Sequence, residues 1–142
     1  MLEKIEFFNG LNDKSVVEIE SSSTHRRYNK GSIILLKDDD SAHLFVLITG
    51  KVQVYIDDPS GKKVILNTFS EPDIFGELAF FSGEKRSANI LAAEECEVLI
   101  IQKNTIMTAF HESPAFCFNV TRYLAKKINS MTEDISCLAL LD

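Results

Sequence analysis

The sequence has few of the residues on which catalytic and metal sites most often depend, and it has no tryptophan. Its 142 residues include only three histidines and three cysteines. The cysteines, Cys96, Cys117 and Cys137, lie too far apart along the chain for a CxxC metal or redox pair. We interpret them as reduced, small apolar residues, which is typical of a cytosolic setting and predicts a cytoplasmic protein.

The scarcity of histidine argues against a metalloenzyme of the cupin type, which is also a small β-barrel. Such a metal site needs several histidines close together, whereas His25, His43 and His111 are widely separated along the chain. The spacing supports neither a Ser-His-Asp nor a Cys-His catalytic arrangement. The acidic turn Asp38–Asp40 lacks the alternating ligands, central glycine and distal glutamate of a calcium loop. We therefore predict that the chain is not an enzyme and has no metal site or cofactor.

Positive charge is also scarce, because 15 Lys and Arg residues stand against 21 Asp and Glu, for a formal net charge of −6. Direct binding to DNA phosphates needs a basic face, so this chain is a poor candidate for it. Local basic clusters such as "HRRYNK" at 25–30 suit an exposed strand, where Lys and Arg discourage edge-to-edge pairing. No apolar run approaches the roughly 18 residues of a membrane span, so we predict no membrane contact.

The middle of the chain consists of short β-rich runs separated by turn residues. Val52, Val54 and Ile56 alternate with polar or exposed positions, as expected of a half-buried strand. The segment 57–63 carries proline and glycine at positions that suit a hairpin tip. Short strands at this spacing indicate a barrel or a sandwich. The predicted strands are 31–36, 43–48, 51–57, 62–69, 88–92 and 96–101.

Helical patterns flank the β-rich region. Residues 1–23 are predicted to form a helical cap with Asn12 as an N-cap, and 103–112 a short amphipathic helix. A long helix then begins, with Ser113 as its predicted N-cap and Pro114 at its first position. No glycine or proline follows, so this helix can extend about 40 Å at 1.5 Å per residue.

The long helix carries a stripe of mostly apolar residues at heptad spacing. Its members recur at intervals of four and three residues: Cys117, Thr121, Leu124, Ile128, Met131, Ile135 and Leu138. This stripe could pack on the β-barrel or face a second copy of the chain. Other apolar residues near the start of the helix can pack on the barrel instead: Phe116, Phe118, Val120 and Tyr123. We therefore predict a parallel homodimer through residues 117–138.

Within "FGELAFFSGEKRSA", an acid and an arginine lie nine positions apart, each beside small residues. Arg86 can bind a phosphate through two parallel hydrogen bonds, and the small residues Ser87 and Ala88 leave room for backbone N–H groups. Glu77 can accept hydrogen bonds from a ribose hydroxyl, with Gly76 allowing the backbone to approach the sugar. These residues suit a phosphorylated ribose, and a surface ion pair between Glu77 and Arg86 is the alternative.

The same segment resembles the phosphate-binding cassette of cyclic nucleotide-binding domains, in particular those of the cyclic AMP receptor protein (CRP/FNR-like) transcription regulators. That cassette has an apolar residue, Gly-Glu, an apolar and a small residue, a short loop, then Arg, a small residue and Ala. Residues 75–79 and 86–88 match it, whereas Phe80 stands where an aliphatic residue is more usual. The segments "YNKGSIIL" and "LFVLITGKVQVY" are similar to the family's glycine-bearing β-turn and strand pair.

The resemblance implies a mainly β fold with flanking helices. Residues 1–112 would form a double-stranded β-helix, or jelly-roll-like β-roll, and 113–142 a long dimerisation helix. It further implies that a DNA-binding winged helix-turn-helix domain is absent from this chain. Carried over to this sequence, Glu77 accepts the ribose 2′-hydroxyl, Arg86 neutralises the cyclic phosphate, and Ser87 adds hydrogen bonds. The other implied contact residues are Gly76, Leu78, Ala79, Ala88, Met131 and Thr132.

The resemblance places recognition of the base on the long helix. In the CRP branch a Thr-Ser pair there reads adenine from both subunits, and Met131 and Thr132 occupy its place here. Thr132 keeps a hydroxyl, whereas Met131 cannot hydrogen-bond as threonine does. The implied function is a sensor that binds cyclic AMP, cyclic GMP or another nucleotide and switches a DNA-binding domain allosterically. A sensor of a non-nucleotide ligand and a ligand-free dimerisation module of the same fold are the alternatives.

Overall fold

The computed structural model describes residues 1–141, with every side chain except those of Cys137, Leu138, Leu140 and Leu141. The predicted seam position Leu138 therefore lies outside the described side chains. Two short 3-10 turns, Leu2–Lys4 and Glu6–Phe8, precede the first helix, α1 (Asp13–Ser22). The Asn12 side chain accepts the Ser15 N–H at 2.8 Å, as expected of the predicted N-cap.

The described residues contain two antiparallel sheets of four strands each. One sheet has the strand order β1-β8-β3-β6, and the other has the order β2-β7-β4-β5. This arrangement confirms the predicted mainly β, jelly-roll-like fold. The strands are β1 (Thr24–Tyr28), β2 (Ile33–Leu35), β3 (His43–Thr49), β4 (Lys51–Asp57), β5 (Lys63–Ser70), β6 (Asp73–Phe75), β7 (Asn89–Ala92) and β8 (Cys96–Gln102).

The alternation of side chains along β3 separates two hydrophobic cores. Phe45 and Leu47 point into the space between the sheets, where they meet residues of both, such as Val52 of β4. Leu44 and Val46 point to the opposite face of the same strand, which the helices cover. Successive strand residues face opposite sides, so a strand buried on both faces reads as a continuous apolar run. This burial explains the uninterrupted apolar sequence of β3.

Three further helices complete the structure: α2 (Glu77–Ser82), α3 (Lys103–Glu112) and α4 (Pro114–Leu141). The sequence predicted α3 and α4, whereas β6 and α2 were not predicted. The basic cluster at 25–30 overlaps β1, which is exposed at one edge of its sheet, in agreement with the prediction. Among the described helices, none is both long enough and apolar enough to cross a membrane.

The first turns of α4 are fixed to the rest of the domain. Phe116 and Val120 are buried beneath the helix, whereas Phe118 is 66% exposed. The prediction that Phe118 packs on the barrel was therefore wrong, because it projects from a different face of the helix. Ser113 stands directly before α4, as predicted for its N-cap, and its carbonyl accepts the N–H groups of Phe116 and Cys117. Its hydroxyl does not cap the helix but accepts the Asn12 N–H at 3.2 Å. Ser113 thus ties the start of α4 to α1.

The later turns of α4 leave apolar side chains exposed. Ile128, Met131 and Ile135 of the predicted seam are all exposed, and Leu124 is only partly buried. Cys117, near the start of the same stripe, is also exposed. Cys96 differs, because it is buried between the sheets, and burial raises the pKa of its thiol. Its environment is that of a small apolar core residue.

Candidate ligand-binding site

A cavity of about 250 Å³ lies between the sheet β2-β7-β4-β5, helix α2 and helix α4. Both halves of the cassette line it, together with seven residues from elsewhere in the chain. The cassette residues are Phe75, Gly76, Glu77, Leu78, Ala79, Arg86, Ser87 and Ala88. The other lining residues are Leu35, Val54, Asn67, Phe69, Ile90, Lys127 and Met131.

Eight of the nine predicted site residues therefore meet at one cavity, and Thr132 is the exception. Its hydroxyl donates to the carbonyl of Ile128 at 3.1 Å, within its own helix. Met131, the residue before it, lines the cavity. Because neighbouring positions on a helix point about 100° apart, one member of the predicted pair reaches the cavity without the other. The member of the predicted pair that lines the cavity is therefore the one without a hydroxyl.

Gly76 shapes the start of the cassette. It has a left-handed backbone, with φ +77°, immediately before α2. A Cβ atom at this position would lie 2.6 Å from Nη1 of Arg86, which is far too close. Glycine is therefore needed here for two reasons: its backbone conformation and the approach of the guanidinium. The two halves of the cassette constrain each other through this contact.

Arg86 is buried, with only 4% of its surface exposed. Its Nη1 donates to the carbonyl of Gly76, and its Nη2 donates to the carbonyl of His43, both at 2.6 Å. The guanidinium carbon also lies 5.5 Å from the ring centroid of Phe45. Its Nε is buried and has no partner among the described residues. Burial lowers the pKa of the guanidinium from its ordinary value, which reflects the cost of removing this charge from water.

Glu77 is equally buried, at 4% exposure, but it has a charged partner. Its carboxylate accepts a hydrogen bond from Nζ of Lys127 on α4. The Lys127 ammonium also lies 5.8 Å from the ring centroid of Tyr123. Because Glu77 and Arg86 are both buried and have different partners, the alternative of a surface ion pair between them was wrong.

A second acid lies near Glu77. Asp73 of β6 is partly buried, and this burial, together with the Glu77 charge, raises the pKa of its carboxyl. Burial and the same two carboxylates also raise the pKa of the Tyr123 phenol. The carboxylate end of the cavity, at Glu77, therefore has one lysine in contact and a second acid, Asp73, nearby. The arginine end, at Arg86, has no carboxylate in ion-pair contact among the described residues, and Asp39 and Glu77 attract its guanidinium only at longer range.

One wall of the cavity is a row of four residues that runs across the whole sheet. Leu35 pairs with Ile90, Ile90 with Val54, and Val54 with Asn67. The row thus passes from β2 through β7 and β4 to β5, and its first three members are aliphatic. Strands lie about 4.8 Å apart, so the row is about 14 Å long. An apolar wall of this size suits the flat face of an aromatic ring.

Sequence reasoning missed Lys127 and this row. A signal for Lys127 existed, because it lies four residues before Met131 and so occupies the same face of α4. The row depends on strand register, which joins residues far apart in the sequence. No metal site was predicted, and the described residues contain no group of three His, Cys, Asp or Glu side chains that could hold a metal ion.

The cavity thus combines a buried arginine, a buried glutamate and a largely aliphatic wall. A family model described as "Cyclic nucleotide-binding domain" matches residues 25–113 of the chain. The chain belongs to this family. The match includes the whole cassette and every strand except the first residue of β1. It confirms the resemblance on which the predicted site was based.

Individual relatives agree with this membership. The chain is 31% identical over 117 residues to the "cAMP-activated global transcriptional regulator CRP" of Pasteurella multocida, covering 82% of this chain and 56% of that protein. The chain thus spans little more than half the length of this curated relative. CRP-like regulators are therefore the branch of the family that this cyclic nucleotide-binding domain is similar to.

Solved structures show the same fold. The catabolite activator protein of Thermus thermophilus matches with a TM-score of 0.82 at 23% identity, over 94% of this chain and 63% of that chain. The sensor domain of the transcriptional regulator DNR from Pseudomonas aeruginosa also matches with a TM-score of 0.82, at 18% identity, over 93% and 89% of the two chains. The second match covers most of both chains, and it extends along α4 as well as the sheets.

Proposed function

We propose that this cyclic nucleotide-binding domain binds cyclic AMP in the cavity between its cassette and α4, and that it acts as the sensor of a CRP-like transcription regulator. The observation that carries this proposal is the state of Arg86. A buried guanidinium whose hydrogen-bond partners among the described residues are two neutral carbonyls, and whose Nε–H has none, is costly. An anion beside it, such as a cyclic phosphate, would supply both the missing charge and an acceptor.

The carboxylate end is suited to the sugar. Glu77 already has Lys127 as a counter-charge, so a neutral hydroxyl group is a suitable further partner for its oxygens. The ribose 2′-hydroxyl would donate to Glu77, and the phosphate would lie toward Arg86 and Ser87. The apolar row and Met131 would contact the base. We propose these roles for the site residues, and a binding function without catalysis.

Lys127 connects the cavity to α4. It is the α4 residue that contacts Glu77, so a sugar hydroxyl that bonds to Glu77 acts directly on a partner of this helix. A ligand shifts a conformational equilibrium only through contacts that differ between the two states. We propose that the Glu77–Lys127 contact is one such contact, and that it links occupancy of the cavity to the position of α4.

We further propose a parallel homodimer through α4. Ile128, Met131 and Ile135 lie on one stripe at intervals of three and four residues, and all three are exposed in the single chain. A second copy of the same helix would cover them. In the complete regulator, DNA would be bound by a segment outside these 142 residues, since the domain itself is acidic. A cytoplasmic location follows from this role.

Titration calorimetry with cyclic AMP, cyclic GMP and adenosine tests ligand binding. We expect cyclic AMP to bind with one molecule per chain, and adenosine to bind far more weakly because it brings no phosphate to Arg86. If neither cyclic nucleotide produces heat at millimolar concentration, with protein that still unfolds cooperatively, the proposal is wrong. A melting temperature that no nucleotide raises would then favour the ligand-free dimerisation module.

Sedimentation tests the dimer. The wild type is expected to sediment as a dimer, and Ile128→Glu as a monomer, because the substitution would place two carboxylates in the apolar seam. The neighbouring Asn129→Glu is the matched control, since Asn129 lies off the stripe and is exposed. A wild-type chain that remains monomeric at its highest soluble concentration, with and without cyclic AMP, would rule the dimer out.

A further inference from the structure

We propose that Asn67 of β5 contacts the edge of the bound base and makes the site prefer adenine. This inference rests on the proposed function, because it assigns one part of the same cavity. The prediction from the family resemblance placed base recognition on α4, at Met131 and Thr132. Only Met131 of that pair lines the cavity, and a thioether distinguishes poorly between purine edges.

Asn67 is the polar end of an otherwise aliphatic row, and it lies on the exposed edge strand β5. It is the fourth member of the row whose other members, Leu35, Ile90 and Val54, are aliphatic. Two positions along the same strand, Phe69 also lines the cavity, as alternation requires. Asn67 is therefore the member of the row that can hydrogen-bond to a ligand.

A β-bulge directly beside Asn67 sets its direction. Val54 pairs with Asn67, but the next residue of β4, Tyr55, pairs with Ile65. Leu66 is therefore the extra residue on β5 and has no partner on β4. Bulges of this kind increase the local twist and redirect neighbouring side chains, often next to binding sites. Here the bulge separates the part of β5 that lines the cavity from the outer part of the hairpin.

The hydrogen-bonding capacity of Asn67 matches adenine. Its Oδ1 accepts the N–H of Thr68 at 2.8 Å, which leaves one lone pair, and its Nδ2 has no partner among the described residues. The side chain can therefore offer one acceptor and one donor side by side. Adenine presents the complementary pair, an amino group next to a ring nitrogen. Guanine and hypoxanthine present the reverse order, a carbonyl next to an N–H, so an acceptor would face Oδ1. An amide turned over to match them would lose the hydrogen bond that Oδ1 accepts from the Thr68 N–H.

The distance along the row also fits. Ser87 and Ala88, at the phosphate end, lie just before β7, and Asn67 is two strands away from β7 on β5. Two strand spacings amount to about 10 Å, which is comparable to the length of a mononucleotide. A base that extends from the ribose along Ile90 and Val54 would present its edge to Asn67. Met131 would then contact its face from α4.

The test compares the affinities of cyclic AMP, cyclic GMP and inosine 3′,5′-cyclic monophosphate for the wild type and Asn67→Leu. The cyclic inosine nucleotide isolates the group at position 6, because it lacks the 2-amino group of guanine. We expect the wild type to prefer cyclic AMP over both others. Asn67→Leu, which keeps the size of the side chain, should weaken cyclic AMP binding about tenfold and the other two much less.

Thr68→Ala is the matched control, because the next residue of β5 points to the opposite face of the strand. It should keep the wild-type order of affinities, and both variants should melt cooperatively, since both positions are exposed. An unchanged affinity ratio in Asn67→Leu, or a wild type without a preference for cyclic AMP, overturns the assignment of Asn67 and leaves nucleotide binding intact. A wild type that binds none of the three compounds overturns both.

Discussion

The two ends of the cavity are equally buried but differ in how their charge is balanced. Glu77 has a side-chain cation as its partner, whereas Arg86 has two backbone carbonyls and one N–H without a partner among the described residues. The difference indicates what each end can accept. Asp39 and Glu77 attract the guanidinium only at longer range, without an ion-pair contact, so the arginine end favours an anion, while the Glu77 carboxylate already has a counter-charge and suits neutral hydroxyl groups. One ligand that combines a phosphate with a sugar satisfies both ends.

Among the substitutions that test this difference between the two ends, Arg86→Ala should have the largest effect. Removing one partner of a buried, hydrogen-bonded charge pair costs about 3 kcal/mol or more, so affinity for cyclic AMP should fall at least about a hundredfold. Stability should also fall, by about 1–3 kcal/mol, because the carbonyls of Gly76 and His43 lose their donors. Calorimetry and urea unfolding measure the two effects separately.

Two comparisons sharpen that result. Arg86→Lys keeps the charge without the planar fork, so it should recover only part of the affinity and part of the stability. Lys85→Ala, at the exposed neighbouring position, should change each quantity by less than about 0.5 kcal/mol. Equal cyclic AMP affinity in wild type and Arg86→Ala would contradict the assignment of the phosphate to this end.

At the other end, Lys127→Met removes the cation that balances Glu77. The buried carboxylate would lose its charged partner, and we expect a loss of about 1–3 kcal/mol in the free energy of unfolding. This is less than for a fully buried pair, because the Lys127 side chain is 31% exposed. Chemical denaturation measures the loss, and Glu77→Gln in the same chain should restore most of it.

Lys126→Met is the matched control for Lys127. Its ammonium lies 3.6 Å from the carboxylate of Glu6, and both side chains are more than half exposed. Such surface pairs contribute about 0–1 kcal/mol, so little change is expected. If the two lysine variants lose the same stability, Glu77 does not depend on Lys127.

The smallest expected effect is that of Asp73→Asn. Asparagine can still accept the Ile74 N–H that Asp73 Oδ1 accepts at 2.8 Å, but it removes a partly buried charge near Glu77. Folding raises the pKa of the Asp73 carboxyl, so its ionised form lowers stability above that pKa, and the cost disappears below the pKa of the unfolded chain. The variant should therefore gain up to about 1 kcal/mol at pH 7 and nothing near pH 3.

Thermal unfolding at several pH values measures this gain. Asp57→Asn, on an exposed position of the hairpin, should show no comparable dependence on pH. A gain for Asp73→Asn that is largest in acid would reverse the sign of the argument and contradict it.

The elements that the sequence predicted well are those that carry their own pattern. Val52 and Val54 alternate with polar Gln53 on β4, and α4 begins with proline and then continues without a helix breaker. In contrast, β6 has three residues and α2 has six, so neither is long enough to show a period. Their conformation depends on neighbours such as Arg86, whose guanidinium bonds to the carbonyl of Gly76.

The candidate site was predictable to the extent that it lies in one segment. The spacing of small residues around Glu77 and Arg86 indicated their chemistry, but it gave no sign of their burial or partners. Apart from the carbonyl of Gly76, those partners lie on β3 and α4, far away in the sequence. Composition likewise could not separate Phe116 from Phe118, because both are aromatic residues on one helix and only its orientation decides which is buried.

Arg86 also has a structural role. Its guanidinium links β3 to the start of α2 by donating to the carbonyls of His43 and Gly76. A related protein that no longer binds a ligand would still lose folding stability if this arginine were replaced. Selection for folding alone can therefore preserve the arginine after signalling has ended. Ser87 is exposed, and its hydroxyl has no comparable structural role among the described residues. Among relatives that have lost ligand binding, we therefore expect this serine to be replaced earlier than the arginine.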